Sequence, residues 1–165
     1  MAMSESTSQV ARRSRLGALP DDLLEEVFSD ATELHLTPPG ILHAEGGPPF
    51  AGVVTEGLVR VVVSSPDGRQ ATIRYAASGA LLGVSSLFSD QHIPVSGVPL
   101  RVSTVVMLRP NLLRDLALRE PLVAASLMGE LADRVMEYQS ELLGSTFSRL
   151  RQKVARHVLE MAVPL

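Results

Sequence analysis

Three regimes of hydrophobic spacing succeed one another along the chain. Behind Leu19-Pro20-Asp21-Asp22, Leu23, Leu24, Val27 and Phe28 recur at helical spacing. Aspartate favours a helix N-terminus, so a short helix is predicted over residues 20–30. From Glu33 to Arg109 the pattern breaks into short β-type runs: Leu34–Thr37, Ile41–Glu45, Val53-Val54, Leu58–Val63, Gln70–Tyr75, Leu81–Val84 and Leu100–Leu108. Pro38-Pro39-Gly40 and Gly46-Gly47-Pro48-Pro49 punctuate them. Ser64-Ser65-Pro66-Asp67-Gly68 reads as a hairpin turn, because Pro pre-sets φ and Gly supplies a positive one. Many short strands at this spacing predict a mostly β, α+β fold: an antiparallel β-roll of jelly-roll type.

After Arg109-Pro110 the period becomes helical again. Asn111–Leu118 predicts a short helix that stops near Pro121, and Leu122–Leu143 a long one. On the long helix Ala124, Met128, Leu131, Val135, Tyr138 and Leu142 are spaced 4-3-4-3-4, the heptad pattern of a dimerisation seam. Glu130, Arg134, Glu137 and Glu141 flank it. A second apolar row, Val123, Leu127 and Leu143, is expected to cover the β domain. One row suffices for a helix that only packs on its own roll, so two rows favour a helix that also meets a second copy. Gly144-Ser145 is a plausible stop, with Ser145 or Thr146 capping a last helix, Phe147–Met161. The expected organisation is a disordered tail at 1–18, a roll at 19–120, the long helix at 121–144, and the start of a further domain at 145–165.

Composition removes several chemistries. The chain has no Cys, which excludes disulfides, thiolate catalysis, iron–sulfur clusters and Cys-based zinc sites. A formal net charge of -3 gives no whole-chain case for nucleic-acid or membrane binding. Aromatic residues make up only 4%, so the core must rest on aliphatic side chains. Met1–Arg15 is Ser-rich and carries three Arg without an apolar stretch, so it is no secretory signal, and no run reaches transmembrane length. A cytoplasmic protein is expected.

Catalytic patterns are missing. His35, His43, His92 and His157 show no paired metal spacing. A cupin-like metal enzyme would need His-x-His, whereas His43-Ala44-Glu45 lacks the second ligand. No G-x-S-x-G elbow surrounds Ser85, Ser86, Ser96 or Ser103, and Gly79–Gly83 is not followed by the Lys of a phosphate-binding loop. The basic cluster Arg149, Arg151, Lys153 and Arg156 reads as a solvated helix face. An enzyme is not expected.

Several motifs occur in a telling order. Pro39-Gly40-Ile41 and Glu45-Gly46 open the series, and Val53-Val54-Thr55-Glu56-Gly57-Leu58-Val59-Arg60-Val61 and Asp67-Gly68 follow. Next come Ser78-Gly79-Ala80-Leu81-Leu82-Gly83, Leu112-Leu113-Arg114-Asp115-Leu116 with Pro121, Leu127–Arg134, and Lys153–Ala162. Together they resemble the effector-binding half of the Crp/Fnr family of bacterial transcription regulators, across residues 19–165. The resemblance implies an eight-stranded roll, a long dimerisation helix, a homodimer and a small-molecule effector. It also implies DNA contact through a helix-turn-helix, expected to be absent from this chain, which ends one helix into that domain.

The resemblance points to an effector pocket around Gly83, Val84, Ser85, Ser86, Pro94, Val95 and Ser96. Cyclic-nucleotide-binding members carry a Glu after the Gly, for the ribose, and an Arg-Ser/Thr-Ala run for the phosphate. Val84 and Pro94-Val95-Ser96 stand at those positions, and Arg101 lies too far along the last strand to substitute. Cyclic AMP and cyclic GMP are therefore disfavoured, and a different, less charged ligand or none is expected. Some relatives hold haem through His, for which His92 is the candidate, with Met107 and Met128 nearby. The expectation is ligand-driven allostery; the alternatives are a ligand-free dimerisation module, a haem-based gas sensor and the cupin-like enzyme.

Overall fold

The computed structural model describes residues 9, 11–89, 95–147 and 158. Among them, seven strands form two antiparallel sheets. The strands are β1 (Thr32–Leu36), β2 (Ala51–Glu56), β3 (Val59–Ser64), β4 (Gln70–Ala76), β5 (Leu81–Leu82), β6 (Ser96–Pro99) and β7 (Ser103–Leu108). One sheet runs β1-β7-β2-β5 and the other β4-β3-β6. Four helices accompany them: α1 (Asp21–Phe28), α2 (Val84–Phe88), α3 (Pro110–Arg119) and α4 (Pro121–Phe147).

The larger sheet is buried on both faces, which explains its unbroken apolar runs. Val54 and Val105 point into the roll with Leu36, Val59, Val61, Ala76 and Leu82. Their neighbours Val53 and Val106 point outward to a second core with Leu24, Phe28, Leu113, Leu116, Val123 and Leu127 of the helices. Burial of the aliphatic side chains of this second core, at about 1.5–3 kcal/mol apiece, holds the start of α4 against the roll.

Several expectations need correction. Residues 11–18 are ordered, not tail: a 3₁₀ turn, Arg15–Ala18, follows Ser14, whose hydroxyl accepts from the Leu16 amide at 3.2 Å and donates to the Ala11 carbonyl at 2.6 Å. Ala11 and Leu16 are buried in the helical core, so two apolar side chains overrule a polar context. Ile41–Glu45 is not a strand and makes only the single bridge His43↔Gly97. Leu81–Val84 is a strand for two residues before Gly83 takes a positive φ and α2 begins. Leu100–Leu108 starts late, at Ser103, because Arg101 and Ser103 serve the Gly57-Leu58 turn: Arg101 Nη2 donates to the Gly57 carbonyl at 3.1 Å. β6 had no clear pattern of its own. Gly144-Ser145 does not stop α4, which continues to Phe147; one helical glycine costs only about 1 kcal/mol. Leu143 is exposed rather than packed on the β domain, whereas Val123 and Leu127 are buried as expected. The final helix, Phe147–Met161, lies outside the described residues apart from its first residue and Val158.

Among the described residues the heptad stripe is left largely uncovered. Met128, Val135, Tyr138 and Leu142 are exposed, and Ala124 and Leu131 are half-buried.

Candidate functional site

Between the roll and the middle of α4 lies a cavity of about 420 Å³. Its floor is aliphatic, from residues such as Leu42, Val61, Leu82 and Val95. α4 closes one side with Glu130, Leu131, Arg134, Val135 and Tyr138.

The rim is built by Gly83 and α2. Gly83 adopts φ +80°, and a Cβ there would run into the Phe50 carbonyl, so only glycine fits. The turn it makes sends Val84 and Ser85 to the cavity. Ser86 faces away from it. Its buried hydroxyl accepts from the Phe50 amide at 3.0 Å and lies 2.8 Å and 2.6 Å from the Phe50 and Gly83 carbonyls. Ser86 thereby ties α2 to the segment that carries Phe50. The Phe50 ring stacks on His43, with centroids 4.2 Å apart.

Arg74 is the unexpected wall residue. On β4 it sits opposite Val61, in the inward frame shared with Ala76, whose partner is Val59. A bulge interrupts the ladder immediately before it, where Val62 pairs with Thr72; bulges commonly re-aim a side chain. Arg74 Nη2 donates to the Leu81 carbonyl at 2.9 Å. Among the described residues no carboxylate lies within ion-pair distance of it. Burial lowers its pKa, the Arg134 charge lowers it further, and Tyr138, Glu130 and Glu137 oppose both.

Arg134, by contrast, is neutralised. Its Nε donates to the buried Glu130 carboxylate at 2.8 Å and its Nη1 to Glu137 at 2.5 Å. Burial works against this charge, but the two carboxylates raise its pKa overall. Burial alone depresses the His43 pKa, and His43 Nε2 is buried without a hydrogen-bond partner.

Of the pocket residues read from sequence, Gly83, Val84, Ser85 and Val95 border the cavity. Ser86 and Ser96 do not: Ser96 accepts from the Glu45 amide at 2.9 Å. Pro94 and His92 lie outside the described residues. Met128, offered as a neighbour of a haem, is exposed on α4, and Met107 packs in the roll. His35 is on β1 opposite Thr104, whereas His43 lies outside the strands, bridged to Gly97. Among the described residues no group of three His, Asp or Glu could hold a metal. Sequence reading missed Arg74, His43, Phe50 and the inward role of Glu130 and Arg134. The one available signal was an arginine in frame with Ala76 on a strand.

Known proteins place this geometry. The cyclic nucleotide-binding domain profile matches residues 33–120. The N-terminal domain of a transcriptional regulator from Streptomyces coelicolor is 31% identical, with a TM-score of 0.62 over 78% of this chain and 93% of that one. The catabolite activator protein of Thermus thermophilus is 23% identical with a TM-score of 0.68; this chain covers 63% of it, and 81% of this chain is matched. A regulator of the Crp/Fnr family from Eubacterium rectale is 15% identical but reaches a TM-score of 0.77 over 88% of this chain and 68% of that one. A search of curated proteins returns no match. No helix among the described residues is long and apolar enough to cross a membrane. The chain belongs to the cyclic nucleotide-binding domain family, and its fold is the one seen in Crp/Fnr-type transcriptional regulators.

Proposed function

We propose that this domain is the effector-sensing and dimerisation part of a cytoplasmic Crp/Fnr-type transcription regulator. A small molecule occupies the cavity, two copies pair through α4, and DNA is read by a helix-turn-helix that is not among the described residues. The domain acts by binding and has no catalytic role.

One observation carries this reading. Leu131, Val135 and Tyr138 line the cavity and also belong to the heptad stripe. A ligand packed against them alters the surface that α4 offers to its partner. Coupling then needs no relay, because the two binding events share side chains. Ligand and dimer arrangement are linked to the extent that the ligand prefers one placement of α4.

The test is to fill the cavity and read the dimer. Ser85 is exposed at the rim and away from the stripe, so Ser85→Trp adds bulk to the pocket alone. The dimer dissociation constant by analytical ultracentrifugation is expected to change by about fivefold or more. A dimer indifferent to Ser85→Trp, or an isolated monomer in both forms, sinks the proposal.

A further inference from the structure

The wall of the cavity is apolar except at a few points, among them Arg74 and His43. Arg74 has a permanently charged guanidinium with five donors, of which one reaches the Leu81 carbonyl. His43 Nε2 is buried with no partner. Among the other charged groups, Arg134 bridges Glu130 and Glu137, and the surplus carboxylate charge offsets Arg74 from a distance without an ion pair to it. A guanidinium turned inward from a strand, with no carboxylate at ion-pair distance, is partly desolvated without a direct partner for its charge. Its remaining donors suit an anionic ligand head in the cavity.

We propose that the cavity takes a monoanion with an apolar or aromatic body, its carboxylate- or sulfonate-type head on Arg74. The proposal rests on the sensing role given above and names the ligand's chemistry. Geometry sets the orientation. Arg74 on β4 and Glu130, Arg134 and Tyr138 on α4 mark the polar side, with Arg134 held between Glu130 and Glu137, while Leu42, Val61 and Val95 receive the body. The stacked His43–Phe50 pair offers an aromatic face. Val84 presents only hydrocarbon at the rim, so a sugar hydroxyl finds no carboxylate there. The recognising cation thus comes from the strand, not from the loop where the resemblance sought it, and not from Arg101, which is engaged at Gly57.

Two dyes of matched shape test this on the full chain: anilinonaphthalene sulfonate, an aromatic monoanion, and phenylnaphthylamine, its neutral counterpart. Fluorescence titration is expected to show both binding the wild type, and Ser85→Trp removing both signals. Arg74→Met is expected to weaken the anion by about tenfold or more while leaving the neutral dye within about twofold. Arg74→Lys, which keeps charge but loses the planar fork, is expected to fall between. A melting temperature for Arg74→Met equal to or above wild type is also expected; a structural arginine would lower it. If both dyes bind but ignore Arg74→Met, or weaken alike, the anion assignment is overturned and the cavity remains a ligand site. If neither dye binds the wild type, the sensing role falls as well.

Discussion

Arg15 forms an ion pair with Asp133 across 118 residues of chain, its Nε 2.9 Å from the Asp133 carboxylate. The guanidinium passes over Gly129, where a Cβ would sit 3.4 Å from it. The pair is exposed, so its energy is small. Its value is positional: it marks where the N-terminal turn crosses α4, with Leu16 inserted underneath.

Leu16 should therefore matter far more than the charges above it. Leu16→Ala removes a fully buried side chain between the turn and α4. It is expected to cost about 2–4 kcal/mol in urea denaturation, whereas Arg15→Ala, which removes only the exposed ion pair, should be nearly silent. A loss under about 0.5 kcal/mol for Leu16→Ala means that the turn does not dock in solution.

The proposed dimer seam has three positions clear of the cavity, Ala124, Met128 and Leu142, and the last two are exposed by 62% and 67%. Leu142→Glu is expected to leave the melting temperature of the folded chain within a few degrees. It should also convert a particle of twice 17.7 kDa into one of that mass, because a seam cannot bury an uncompensated carboxylate. Light scattering reads this directly. A dimer that survives both Leu142→Glu and Met128→Glu places the interface elsewhere.

Gly83→Ala is expected to destabilise by about 2–4 kcal/mol. The new methyl needs an unfavourable φ and meets the Phe50 carbonyl that Ser86 holds in place. Denaturation of Gly83→Ala beside Gly68→Ala separates the two causes, since Gly68 shares the positive φ but has open space around it. Equal losses would show that the close approach is irrelevant.

Much of this was legible in the chain, and the gaps have physical causes. The Val53-Val54 and Val105-Val106 pairs signalled strands but not faces, because a sheet covered on both sides loses its alternation. The heptad from Ala124 to Leu142 was read correctly as a helical stripe, yet its periodicity could not tell that Leu131, Val135 and Tyr138 also border a cavity. Arg74 escaped because a bulge sets its direction, and bulges leave no mark in local sequence. His43 and Phe50 came together through a single bridge to Gly97, a contact between distant segments. Leu16 was hidden by Arg12-Arg13-Ser14-Arg15, whose polarity resembles that of a tail.

The stability of the domain should depend on pH through His43. Burial depresses its pKa below the ordinary value near 6.5, so the unfolded chain takes up that proton first as pH falls. Stability from this site is complete above about pH 6.5 and declines as pH drops through the folded-state pKa. Chemical denaturation between about pH 7.5 and 5 is expected to show the decline in wild type, with a shallower slope in His43→Phe. Parallel slopes would remove His43 from the account.

α4 has 27 residues, a rod of about 40 Å. Its packing is lopsided: Val123 and Leu127 are locked into the core, whereas Val135, Met136, Tyr138, Leu142 and Leu143 are exposed. A rod gripped near one end has mechanical gain. A tilt of about 5° about Leu127 displaces the backbone near Phe147 by about 2–3 Å over the intervening 30 Å or so. A disturbance at Leu131, too slight to disrupt the roll, is thereby amplified at the far end of the rod.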